Sequence, residues 1–230
     1  MNEQYSPTGF RVLPTIVKNL LIINVLMFLA TFTLRKFNID LNDILGLHFF
    51  KASGFRPYQI VTYMFMHGNF EHLFFNMFAL WMFGANMENI WGPKRFLLFY
   101  LVCGIGAGLC QEGVQYIQYA TQLAGYESVD LGGNMILSMD RYLNMMTTVG
   151  ASGAIYGLLL AFGMMFPNSM IYLYFFIPLK AKWFVIGYAI IELASGFIGG
   201  GNIAHFAHLG GMLFGLILIL HWKKKGSLYS

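Results

Sequence analysis

The sequence predicts an all-α, polytopic membrane protein, a bundle of six transmembrane helices. Three observations point there. Hydrophobic residues make up 57% of the 230 residues and charged ones only 10%, against about 25% charged in an ordinary soluble domain. The apolar residues gather in six runs separated by charged or Gly/Pro-containing breaks. The charges flank those runs instead of dotting them, as they do around membrane spans. A mean hydropathy of +0.60 also argues against a soluble globule. A pI near 9.0 would suggest nucleic acid in a soluble protein. Here no Lys/Arg stripe with interleaved aromatics supports that partner, and topology accounts for the basic residues.

The first run is Thr15 to Leu34, interrupted by Lys18 and closed by Arg35-Lys36. About fourteen mostly polar residues precede it, and no small-x-small cleavage site follows, so it reads as an anchor and not as a cleavable signal. The second is His72 to Met87, bounded by Glu71 and Glu88. Gly92-Pro93 breaks the chain, and Lys94-Arg95 opens the third, Phe96 to Gln115. Cys103 and Cys110 sit seven apart on that run, roughly 10 Å of helical rise, too far for a disulfide. The fourth run is Gly150 to Phe166, stopped by Pro167-Asn168. The fifth is Lys182 to Phe197. The sixth is Asn202 to Trp222, followed by Lys223-Lys224-Lys225. Residues 35–66 and 116–147 form long connections, and each is expected to hold a short interfacial helix. Met170 to Leu179 lies between Pro167 and Pro178 and is expected as an extended piece along the interface. Tyr58, Tyr172, Tyr174 and the tryptophans read as interface or packing aromatics.

Charge sets the orientation. With both termini cytoplasmic, the inner side holds Arg11, Lys18, Lys94, Arg95, Lys180, Lys182 and Lys223 to Lys225, nine of the 14 Lys and Arg. The outer side keeps Arg35, Lys36, Lys51, Arg56 and Arg141 and most of the acids. That asymmetry is the positive-inside pattern. Both long connections and the starts of spans four and six then face outward.

Polar groups within spans are costly and mark function. Ser152 lies in Gly150-Ala151-Ser152-Gly153 and His208 in Ala207-His208-Leu209-Gly210-Gly211. A hydroxyl and an imidazole suit a nucleophile and its base. From Ser152 to Phe166 there is only roughly 22 Å of helix, against a hydrocarbon core about 30 Å thick. Ser152 is therefore expected at a helix N-terminus below the outer surface, where spare backbone N–H groups suit an oxyanion. Gly153-x-x-x-Gly157 and Gly211-x-x-x-Gly215 let spans four and six approach closely. His208 lies about 60° and 20° from Gly211 and Gly215 around the helix, and His205 about 120° and 80°. His208 is thus better aimed at Ser152. A span serine or histidine often only packs, and that reading stands for His205 and His67.

Three motifs in order carry a specific resemblance: His67…His72…Asn76, Gly150-Ala151-Ser152-Gly153…Gly157, and Ala207-His208…Gly211…Gly215. Over residues 50–222 the chain resembles the rhomboid intramembrane serine proteases, of the bacterial six-helix type. The resemblance implies a first segment of residues 1–49, a protease core of 50–222 and a basic cytoplasmic tail of 223–230. It implies a Ser-His dyad, Ser152 as nucleophile and His208 as base, working without a carboxylate. The sequence agrees, since no acid is near either motif and Glu192, well inside a span, sits on span five. Tyr156 corresponds to the aromatic that packs on the base. His72 and Asn76 correspond to oxyanion donors, His67 to a structural histidine tying down the first outer loop, and Glu88 to a packing and capping position. Where many members carry Trp-Arg in that loop, this chain has Tyr58-Gln59. The implied substrates are single-span membrane proteins, cut near the outer end of the span in the lipid bilayer, with no cofactor or metal. The expected location is a bacterial inner membrane. The rival reading is a rhomboid-like pseudoprotease that binds and escorts membrane clients without cleavage.

Overall fold

The computed structural model describes residues 9–133, 135–173, 176–198 and 204–228. Helix α1 (Thr15–Leu34) covers the first expected span. Pro14 gives it no side-chain cap. The cap comes from across the bundle, where the Glu88 carboxylate accepts from Ile16 N at 2.9 Å and Val17 N at 2.8 Å. A negative group at the positive end of a helix dipole is stabilising. The first long connection holds α2 (Leu41–Leu45), strand β1 (Leu47–His48), α3 (Gln59–Thr62) and 3-10 turns at Arg35–Phe37 and Tyr63–Phe65.

Span two begins with α4 (Phe70–Ala79), capped by Asn69, whose side chain accepts from His72 N at 2.8 Å. It passes through a π-helical turn, Leu80–Gly84, into α5 (Ala85–Gln118). Within α5, Gly92 adopts φ 75° and ψ 166°, and Pro93 follows. Glycine takes that φ without a Cβ penalty, and proline suits the first turn of the next helix. The Trp91 and Phe99 rings lie 4.9 Å apart, whereas a straight helix would separate such residues by about 12 Å. The chain therefore folds back at Gly92, which divides spans two and three as expected.

Beyond α5 come a π-helical turn at Tyr119–Leu123, a hairpin of β2 (Ser128–Asp130) with β3 (Ile136–Ser138), helix α6 (Met139–Met145) and strand β4 (Thr147–Thr148). Then follow α7 (Ser152–Met165), a hairpin of β5 (Met170–Leu173) with β6 (Ile177–Lys180), α8 (Ala181–Ile198) and α9 (Ala204–Lys224). Both long connections hold the short helices anticipated. Met170 to Leu179 is extended, but as a hairpin registering Met170 with Lys180. Tyr174 and the expected start of span six at Asn202 lie outside the described residues. The strands sit in connections and leave the fold helical. Antiparallel β1 and β4 pair Leu47 with Thr148 and His48 with Thr147, joining the two long connections.

Helices α5, α7 and α9 form the centre of the bundle. A Cβ on Gly211 would overlap the Gly153 carbonyl, and one on Gly215 would come within 3.3 Å of the Gly157 Cα. The two GxxxG patterns therefore do bring α7 and α9 backbone to backbone. Gly104 and Gly108, a third such pattern, instead receive Met64, Ile60 and Tyr63 from the first connection. Cys103 and Cys110 are both free thiols. Cys103 fills the gap beside Gly157 and Gly215, and Cys110 that beside Gly210.

Apolar side chains on the outside, such as Leu26 and Phe32 of α1, Phe70, Phe74 and Phe75 of α4, and Ile190 and Phe197 of α8, are largely exposed. A belt of that extent is what a lipid-facing surface requires. By length and composition Thr15–Phe37, Phe70–Leu123 and His205–Lys224 are apolar enough to cross a membrane, and Ser152–Met165 is a shorter apolar helix.

Candidate active site

Ser152 opens α7, and its helix lacks a side-chain cap because Ala151 precedes it. The first turn's N–H groups are thus not taken by a capping side chain. Gly150 leads into this turn at φ 132°, a conformation that favours glycine, and its N–H donates to Tyr63 O at 2.9 Å. A Cβ there would also strike the His72 ring at 2.8 Å. Glycine at 150 thus permits both the turn and the approach of His72 to the Ser152 side of the bundle.

The Ser152 Oγ lies 2.8 Å from His208 Nε2, within the reach required for proton transfer. His208, and not His205, faces the serine, as the glycine faces imply. The Tyr156 ring, one turn below Ser152, stacks on the His208 ring at 4.2 Å and 6°. Asn76 is buried and its amide donates to His67 Nε2 at 3.0 Å. That leaves its second N–H for another acceptor. The His67 and His72 rings meet edge to face at 5.0 Å. Burial first, and then the neighbouring His72, lower the pKa of His67 to about 4. It therefore stays neutral and accepts the Asn76 N–H. The His67 carbonyl also accepts from the Asn42 side chain at 3.3 Å, which ties down the first connection.

A family model described as the rhomboid domain matches residues 54–224. The chain belongs to the rhomboid family. It is 30% identical over 173 residues to RHOMBOID-like protein 12, mitochondrial, of Arabidopsis thaliana, covering 74% of this chain and 47% of that protein. It is 31% identical over 213 residues to Rhomboid-like protein 11, chloroplastic, of Arabidopsis thaliana, covering 79% and 61%. With Rhomboid protease AarA of Providencia stuartii it shares 29% over 168 residues, covering 67% and 52%. The chain spans about half the length of the curated relatives it matches. Relatives named mitochondrial and chloroplastic stand beside AarA. They give the expected bacterial inner membrane no support, while a rhomboid domain makes this a membrane protein.

One expectation drawn from the rhomboid resemblance needs correction. An acid does lie at the motif. Glu192 of α8 is 6% exposed, and its Oε2 is 3.1 Å from His208 Nδ1 and 2.6 Å from His205 Nδ1. The Tyr156 hydroxyl donates to its Oε1. The His205 contact is an aligned hydrogen bond. The His208 contact is at ion-pair distance but off the ring N–H axis, so Nδ1 has no aligned partner. His205, expected to be a packing residue, instead anchors this carboxylate. Spacing within a helix missed Glu192 because it reaches the site from a neighbouring helix. The available signal was its burial cost within a span.

Glu192, His205 and His208 each place one donor atom within 4.8 Å of the others, and two histidines with a carboxylate can hold zinc. Here His205 and Tyr156 satisfy the carboxylate and Ser152 takes Nε2 of His208. The cluster reads as a hydrogen-bond network around the base.

Gln59, where many members carry arginine, is buried. Its Nε2 donates to Ile44 O and Gly54 O, both at 3.2 Å, and its Oε1 accepts from Arg56 N at 2.9 Å. A neutral amide therefore organises the first connection without a buried charge.

Proposed function

We propose that this chain is an intramembrane serine endopeptidase that cuts transmembrane segments of single-span membrane proteins, with residues 50–222 as its core. The carrying observation is the 2.8 Å contact between Ser152 Oγ and His208 Nε2. Ser152 attacks the scissile carbonyl carbon while its proton passes to His208 Nε2. The carbonyl oxygen becomes an oxyanion, which accepts from the Ser152 backbone N–H, the free N–H of Asn76 and the His72 ring. On collapse the C–N bond breaks, and His208 returns the proton to the leaving amine. Water then adds to the acyl carbon and gives a proton to His208; the ester C–O bond to Ser152 breaks, the new carboxyl product leaves, and His208 returns the proton to Ser152 Oγ. Tyr156 holds the imidazole plane by stacking.

In this reading the chain crosses six times, with both termini on the basic, cytoplasmic-type side and the site toward the other. Helix α7 has 14 residues, roughly 21 Å of rise, so Ser152 lies below the outer surface of a core about 30 Å thick. A substrate helix satisfies its own backbone and must unwind to be cut. Cleavage near the outer end of the span, at a small residue next to helix-breaking ones, follows. A pseudoprotease that only escorts clients has no need of a paired serine and histidine.

The test is Ser152→Ala assayed in detergent or proteoliposomes on a model transmembrane substrate, beside labelling by a serine-directed fluorophosphonate. The variant is expected to fold and insert normally, cut nothing and take no label. Cleavage close to wild type would refute the assignment.

A further inference from the structure

We propose that Glu192 is a third member of this site, a positioning carboxylate that holds His208 in the tautomer able to take the Ser152 proton. The site then works as a Ser-His-Glu triad and not as a dyad. The inference rests on the protease reading above and deepens it.

For Nε2 of His208 to accept the Ser152 proton, the ring's own proton must sit on Nδ1. A carboxylate cannot donate, so the group 3.1 Å from Nδ1 favours a proton there. When the Ser152 proton arrives, the ring becomes an imidazolium whose new charge faces an existing negative one. The carboxylate stays ionised throughout, and no proton moves onto it. Its misalignment is small in consequence, because catalytic hydrogen bonds are often loose before substrate binds and tighten afterwards.

The surroundings fix that carboxylate on both oxygens. Tyr156 donates to Oε1 and His205 to Oε2. Tyr156 also stacks on the His208 ring, so one tyrosine couples the base to the acid. A buried carboxylate on a span is expensive unless it is paired. Here its partners are the base, the residue that stacks on the base, and the histidine one turn away on the same helix. The titratable groups facing His208 are Tyr156 from α7, Glu192 from α8, His72 from α4 and His205 on α9 itself, while α5 turns Cys110 against Gly210.

The experiment compares Glu192→Gln, Glu192→Asp and His205→Ala on the full chain, reading kcat, KM and the pH dependence of kcat. The amide of Glu192→Gln can donate to Nδ1 and forces the proton onto Nε2, the wrong tautomer. Such a change costs about 10⁴-fold where the contact is fully aligned. With an off-axis carboxylate shared with His205, we expect a loss of about 10²-fold in kcat with KM unchanged. Without a negative neighbour the imidazolium is less favoured, so the acid limb of kcat moves to lower pH. Glu192→Asp keeps the charge and recovers part of the rate. His205→Ala removes one anchor of the carboxylate but frees Oε2 for His208, so it lowers kcat less than Glu192→Gln does and moves the acid limb to higher pH.

A merely structural Glu192 would lower thermal stability and leave the acid limb in place, which overturns the proposal. If Glu192→Gln does not fold, His205→Ala decides, and an unshifted limb overturns the proposal equally. The protease reading fails separately. Cleavage by Ser152→Ala removes that reading, whereas a normal Glu192→Gln beside a dead Ser152→Ala removes only the triad.

Discussion

Asn76 has two amide N–H groups, and His67 takes one of them. The other is the donor assigned to the oxyanion, beside the His72 ring that overlies Gly150. Removing one such donor typically costs about 10²–10³ in turnover. Asn76→Ala and His72→Ala are each expected to lose that much in kcat on a transmembrane substrate, less than Ser152→Ala, while melting near wild type. Normal turnover in both would move the oxyanion donors elsewhere. At this scale the meeting of Ser152 and His208 was legible from polar groups within spans and from the glycine faces, while the places of Tyr156, His72 and Asn76 came from the rhomboid resemblance. Glu192 was visible as an acid within a span but not as a neighbour of His208. Periodicity reports which side of one helix a residue occupies, and says nothing of how far two helices are slid along each other. That slide sets the 3.1 Å contact.

At the scale of the element, the decisive contact is between α7 and α9. Lipid supplies no hydrophobic drive between helices, so close packing must hold them. Gly211 stands where a Cβ would overlap the Gly153 carbonyl, whereas Gly187 on α8 has nothing within 4 Å. Gly211→Ala is expected to push the two backbones apart, destabilising the bundle by about 1–3 kcal/mol as overpacking does. It should also cut activity by 10²-fold or so, since misplacement near 1 Å can cost that much. Gly187→Ala is the control and should leave both melting and cleavage close to wild type. Equal behaviour of the two variants would dissolve the argument that these glycines set the Ser152–His208 distance. The glycines were readable because backbone approach demands a missing side chain. The β1–β4 pairing was not, because it joins two residues each from connections about 100 positions apart, too short a stretch for any alternating pattern. The Glu88 cap on α1 was only half legible. A capping role was anticipated, but its target, the Ile16 and Val17 N–H groups, lies some 70 residues back.

The whole molecule divides into a helical bundle that carries the site and an outer clasp that does not. In the clasp, the first and second long connections are joined by β1 with β4, by His48 Nδ1 to Thr147 Oγ1 at 3.2 Å, and by Asn144. Asn144 is the centre of that join. Its Oδ1 accepts from Gly54 N at 2.8 Å, and its Nδ2 donates to Ser53 Oγ at 2.9 Å and Asp140 O at 2.8 Å. The site side chains come instead from α4, α7, α8 and α9. Gly150, where the clasp meets the site, is held by the Tyr63 carbonyl at the far end of the first connection and not by Asn144. Asn144→Ala removes three hydrogen bonds at a half-exposed position and strands the Gly54 N–H, which costs about 1–2 kcal/mol. That energy is local, so it should appear as easier opening of the second connection and not as global unfolding. Arg141 is exposed on α6 and offers trypsin a cut inside this segment. Nicking at Arg141 should quicken roughly five- to tenfold, following the population of the open segment. Fluorophosphonate labelling of Ser152 in the same sample should hold its wild-type rate. Unchanged nicking would mean that Asn144 is not the join. Labelling that fell in step with nicking would mean that the clasp belongs to the site, because only then does loosening one end disarrange the other.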